Sequence, residues 1–104
     1  MNEPISVLLV DDHEVVRQGL RAFLEAHPEF VVVGEAGSGK EAVRLTEEHI
    51  PDVVLMDLIM PEMDGVEATR QVKTVSPRTQ IVVLTSYHED EHIFPALQAG
   101  AISY

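Results

Sequence analysis

Two kinds of pattern alternate along this chain. Short runs are apolar at nearly every position, and longer stretches between them repeat apolar residues every three or four places. The runs are Ile5-Ser6-Val7-Leu8-Leu9-Val10, Phe30-Val31-Val32-Val33, Val53-Val54-Leu55-Met56 and Ile81-Val82-Val83-Leu84, with Ala101-Ile102-Ser103-Tyr104 beginning a fifth. Runs this short and continuously apolar predict parallel strands buried on both faces. Between them, Val16, Leu20, Phe23 and Leu24 keep helical spacing as far as Pro28. Ala42, Leu45 and Ile50 do so as far as Pro51, and Val66, Thr69 and Val72 as far as Ser76-Pro77. Proline removes a backbone donor and clashes with the preceding turn, so each of these patterns ends where a helix must. Gly34 is expected to stop the second strand. Ser38, with Glu41 three residues on, predicts an N-cap completed by a capping box. Residues 58–65 read as a loop carrying Pro61 and the turn dipeptide Asp64-Gly65. The helical pattern of residues 88–99 carries Pro95 inside it, which predicts a kink there or a start near that residue, and Gly100 suits its C-terminal end.

Regular strand–helix alternation predicts an α/β fold: one parallel sheet, right-handed crossovers and helices on both faces. For about five strands the first candidate is the flavodoxin-like, doubly wound order 2-1-3-4-5, as a single domain over residues 1–104. That order makes the first and third strands neighbours. Asp11 and Asp12 follow the first strand and Asp57 follows the third, so the three carboxylates would converge at the edge where open α/β sheets bind ligands, with Thr85 arriving from the fourth strand. Like charges at short range raise pKa values or demand a cation. A hard divalent ion with oxygen ligands, Mg²⁺ above all, would relieve the repulsion. The plainer explanation of each aspartate alone is a turn or helix cap.

Composition narrows the field. The chain has 104 residues and a formal net charge of −11, from 7 Lys plus Arg against 18 Asp plus Glu. That balance opposes direct binding to DNA or to an anionic membrane and suits divalent cations and basic partner surfaces. There is no cysteine, hence no disulfide or thiol chemistry. The first residues are not basic and no apolar run is long enough for a leader or a membrane span, so a cytoplasmic protein is expected.

Two motif matches fail on their chemistry. Gly34-Glu35-Ala36-Gly37-Ser38-Gly39-Lys40 fits the first seven places of a phosphate-binding P-loop, but the eighth is Glu41 instead of the Ser or Thr that would ligate Mg²⁺, and Glu35 would repel phosphate. His88-Glu89-Asp90-Glu91-His92 spells a zinc-protease pattern across a loop and a helix start, without the buried helix face that such chemistry needs.

Val7-Leu8-Leu9-Val10-Asp11-Asp12-His13, Asp52-Val53-Val54-Leu55-Met56-Asp57, Met60-Pro61-Glu62-Met63-Asp64-Gly65 and Val83-Leu84-Thr85-Ser86 together resemble the signature segments of a response-regulator receiver domain, in order and spacing across essentially the whole chain. The stretch from Asp12 to Leu20, and Gly34-Glu35-Ala36, resemble the NarL/FixJ subfamily, whose members usually add a helix-turn-helix output domain. The resemblance implies that Asp57 accepts a phosphoryl group from a phosphohistidine on a sensor histidine kinase. Asp12, Asp57 and the backbone carbonyl of Ile59 would ligate Mg²⁺ directly, and Asp11 would act mainly through a bound water. Thr85 would hydrogen-bond the phosphoryl group, and Tyr104 would be the aromatic that rotates inward after it. The phosphorylated form would form a homodimer, and DNA would be reached only through the output domain. The domain would be a phosphoacceptor that promotes its own phosphorylation and dephosphorylation, and not an enzyme acting on an external substrate.

The sequence departs from that family's pattern at its end. The lysine expected three residues beyond Tyr104, most of the fifth strand and the last helix do not fall within the 104 residues, so the chain is expected to be part of a longer regulator. A receiver-like interaction module that is never phosphorylated is the alternative. A phosphohydrolase with an aspartate nucleophile would need a second acid at position 59, where Ile59 stands, and an acidic pocket would repel a flavin phosphate.

Overall fold

Side chains alternate across a strand, so an apolar run five or six residues long supplies both faces of a sheet at once. The computed structural model, which describes residues 3–57 and 65–83, uses the runs in this way. Its elements are β1 (Ile5–Val10), α1 (Glu14–Glu25), β2 (Phe30–Ala36), α2 (Gly39–His49), β3 (Val53–Met56), α3 (Gly65–Val75) and β4 (Gln80–Val83). The four strands form one parallel sheet in the order β2-β1-β3-β4, as expected for the doubly wound arrangement. The fifth strand and the pattern of residues 88–99 lie outside the described residues.

Leu8, Val10, Val54, Met56, Ile81 and Val83 point to one face, where Ala42 of α2 and Ala68 and Val72 of α3 close over them. Val7, Leu9 and Val32 point to the other, packed against Leu24 of α1 with Leu20, Phe30, Val53 and Leu55 half-buried around them. The central strand β1 is covered on both sides: Leu8 and Leu9 are fully buried. Burying a side chain of this size contributes about 1.5–3 kcal/mol.

The expected end of the second strand is corrected. β2 runs through Gly34 to Ala36, because one extra residue is accommodated where β1 pairs with it. Val7 pairs with Val32, but Leu8 pairs with Gly34, leaving Val33 as a bulge. A bulge reverses the alternation downstream of it. Phe30 and Val32 face α1, whereas Ala36 enters the core beneath α2 and α3. A Cβ on Gly34 would stand 3.3 Å from the Leu8 Cδ1, tighter than the packing allows without movement, which is why glycine suits the crossing.

The caps follow the sequence with one change. Ser38 Oγ accepts from the Glu41 amide at 3.2 Å, but the Glu41 carboxylate reaches back to the amide of Gly37, also at 3.2 Å, one residue before the cap. α2 ends with Ile50 in the left-handed conformation, its amide bonded to the Thr46 carbonyl.

Candidate functional site

β1 and β3 pair up to Val10 and Met56, so the next residue of each strand leaves the sheet at the same level. The Asp57 amide donates to the Val10 carbonyl at 2.9 Å, and the Asp11 amide donates to the Ala36 carbonyl at 3.1 Å. These two bonds fix three strand ends side by side. They bring Asp11, Asp12 and Asp57 together as the sequence predicts: one ligand atom from each, with one from His13, all lie within 4.8 Å of one another.

His13, for which the sequence indicates no role, sits inside the cluster. Its amide donates to Asp11 Oδ1 at 2.8 Å, the two-residue turn that aspartate favours. Its Nδ1 lies 3.0 Å from both Asp11 Oδ1 and Asp12 Oδ1. The hydrogen bond to Asp11, followed by the field of Asp12, raises the imidazole pKa above its usual value. An aspartate followed two places later by histidine was the available signal.

A second group of charges lies behind the β1–α1 turn. The bulge in β2 turns Glu35 toward α1, where Arg17 Nε reaches its Oε1 at 3.1 Å and Arg21 Nη1 its Oε2 at 2.6 Å. Arg17 Nη1 also donates to the backbone carbonyl of Asp11 at 2.6 Å. The bond from Arg21, aided by that from Arg17, holds the Glu35 carboxyl below the usual carboxylate range against the opposing effect of burial. Glu35 and the Gly37 amide therefore have partners within the chain, which agrees with setting aside the P-loop reading.

The donor set fits a hard divalent cation. Three carboxylates offer oxygen ligands, and Mg²⁺ with bonds of about 2.0–2.1 Å holds octahedral ligands about 2.9–4.2 Å apart. The ligand atoms of the cluster lie within 4.8 Å of one another, near the upper end of that range, and the side chains of Asp11 and Asp12 are 15% and 28% exposed, open enough for an ion to enter. Ile59, Pro61, Thr85, Tyr104 and the His88–His92 motif lie outside the described residues. Gly65 begins α3.

The profile of the response regulator receiver domain matches residues 7–104. Over 100 residues, 96% of this chain, the sequence is 55% identical to the transcriptional regulatory protein LiaR of Bacillus subtilis, covering 47% of that protein. The chain thus spans about half the length of the curated relatives it matches. A two-component response regulator of the LuxR family from Aurantimonas superposes with a TM-score of 0.91 at 38% identity, over 98% of this chain and 73% of that one. A response regulator from Burkholderia pseudomallei, solved with a phosphorylated aspartic acid, a calcium ion and citrate, superposes with a TM-score of 0.87 at 26% identity, over 96% of this chain and 58% of that one. With the sheet order and the acidic edge already in place, these matches make the chain a member of the response regulator receiver family, on the NarL/LuxR branch.

Proposed function

We propose that Asp57 accepts a phosphoryl group from a phosphohistidine of a sensor histidine kinase, in a Mg²⁺-dependent reaction. The observation that carries this reading is the convergence of Asp11, Asp12 and Asp57 at one sheet edge. An Asp57 carboxylate oxygen attacks phosphorus in line. A P–O bond forms, the P–N bond breaks, and its electron pair returns to the kinase imidazole. Phosphoryl transfer is chiefly positioning and charge neutralisation, so a fixed carboxylate at a strand end is a suitable nucleophile. Asp12, Asp57 and the Ile59 carbonyl would hold Mg²⁺, with Asp11 acting through a water. The ion when bound offsets charge that would otherwise repel the incoming phosphoryl group. The strand end fixes Asp57 through its amide bond to Val10, and the turn holds Asp11 through His13.

The new acyl phosphate carries close to two negative charges, which bias Thr85 and then Tyr104 toward an active arrangement. The domain thereby acts as a phosphoacceptor that promotes its own phosphorylation and dephosphorylation. Its phosphorylated form dimerises and controls a DNA-binding output domain carried by the whole cytoplasmic regulator. The relative with a phosphorylated aspartic acid and a divalent ion supports this chemistry for the fold. Incubation with acetyl phosphate and Mg²⁺ should add the mass of one phosphoryl group, and Asp57→Ala should gain none. Labelling that survives Asp57→Ala would overturn the assignment.

A further inference from the structure

The two segments that set this chain apart within its family meet in space, and their meeting point lies against the metal-binding turn. Arg17 comes from the first and Glu35 from the second. One edge of the Arg17 guanidinium is bonded to Glu35 and the other to the carbonyl of Asp11, at 2.6 Å. The Arg17 side chain is 17% exposed and passes over Gly37, where a Cβ would lie 3.4 Å from its Nη1. Arg21 binds the second oxygen of Glu35 and is itself paired with Glu25. Two arginines and two glutamates therefore balance in charge. Arg17 presents its fork to the turn with its charge already neutralised.

We infer that Arg17 is a positioning residue for the metal site: it clamps the peptide of Asp11 and so sets the separation of the Asp11, Asp12 and Asp57 carboxylates. A planar guanidinium bonds two acceptors in fixed directions, which a lysine ammonium cannot reproduce. Groups that orient metal ligands from behind typically change affinity 10–100-fold when removed. This inference rests on reading the acidic edge as a Mg²⁺ site, and it adds a residue that does not touch the ion.

The sign of the effect separates positioning from simple electrostatics. If Arg17 acted only as a nearby positive charge, removing it would strengthen Mg²⁺ binding. If it acted only in stability, removal would lower the melting temperature and leave affinity unchanged. A clamp predicts weaker binding. In the full-length protein, Mg²⁺ affinity by calorimetry should fall about tenfold or more in Arg17→Met, and Arg17→Lys should not restore it. Amide exchange at His13, whose N–H is bonded to Asp11 Oδ1, should speed up in both variants without Mg²⁺. Equal or tighter Mg²⁺ binding by folded Arg17→Met, or unchanged exchange at His13, would overturn the inference. Asp12→Ala serves as the control: if the unsubstituted protein binds no Mg²⁺, or Asp12→Ala binds it as well, the metal-site reading itself fails, whatever Arg17 does.

Discussion

The two edges of the sheet are built on opposite electrostatic plans. At the edge where β1 and β3 begin, Ser6 and Asp52 bond reciprocally: the Ser6 amide and hydroxyl donate to Asp52 Oδ2 at 2.8 and 3.0 Å, and the Asp52 amide donates to Ser6 Oγ at 2.8 Å. Beside them the buried Thr79 hydroxyl donates to the Pro51 carbonyl at 2.7 Å and lies 2.6 Å from Ser76 Oγ, while Lys73 Nζ caps the carbonyls of Pro77 and Thr79. At the opposite edge three carboxylates crowd around one imidazole. One edge closes the fold with matched donors and acceptors. The other gathers three carboxylates whose charge the proposed cation would offset. The matched contacts and the proposed chemistry thus fall at different ends of the same strands.

The largest expected break in this contrast is at the acidic edge. A ligand present at 100 times its dissociation constant stabilises the folded state by about 2.7 kcal/mol. Denaturant unfolding with and without saturating Mg²⁺ should show a gain of that order in the unsubstituted chain. Asp12→Ala should show almost none, while being no less stable than the unsubstituted chain when Mg²⁺ is absent. A large loss of stability on removing Asp12 without the ion would mean that its contact with His13 outweighs repulsion among the carboxylates.

The opposite outcome is expected at the other edge. Thr79→Val keeps the shape but leaves the Pro51 carbonyl and the Ser76 hydroxyl without that partner. An unsatisfied buried polar group costs about 1–3 kcal/mol. Chemical denaturation should register a loss in that range, with Mg²⁺ affinity unchanged. A matching fall in affinity would show that the two edges are coupled through β3 and β4.

Much of this division is legible in the sequence. Unbroken apolar runs gave the strands, proline and serine marked the helix ends, and aspartates directly after two runs located the acidic edge. What escaped the sequence was non-local. Glu35 looks like a loop residue after Gly34 because its two partners, Arg17 and Arg21, lie far back in the chain and become neighbours only through the Val33 bulge. Arg17 looks like an ordinary polar residue of α1 for the same reason. His13 was missed differently, since its two-residue relation to Asp11 is local and was open to reading.

The Glu35 group gives a pH test of smaller size. Its folded pKa is depressed, so its contribution to stability is fully present above the ordinary carboxylate pKa and is lost as pH falls through that value toward the folded one. Stability measured from neutral pH down into the acid range should therefore decline less steeply in Glu35→Gln than in the unsubstituted chain. Identical acid limbs would mean that the Arg17 and Arg21 bonds add nothing to folding.

The smallest effect concerns the one strained point on the approach to the well-paired edge. Ile50 ends α2 at a φ of 46°, the only non-glycine residue with positive φ among the described residues, and the residue is 64% exposed. A left-handed conformation costs a residue with a side chain about 1–2 kcal/mol, and a β-branched one gains nothing there in return. Glycine is the usual occupant of such a helix end. Against that relief stand the greater freedom of glycine in the unfolded chain and the partial apolar cover that Ile50 provides. The balance predicts that Ile50→Gly raises stability by under about 1 kcal/mol, read as a small upward shift in the denaturation midpoint with an unchanged slope. A loss of stability instead would mean that the exposed isoleucine contributes packing to the Pro51–Asp52 entry of β3, and that the paired edge depends on it.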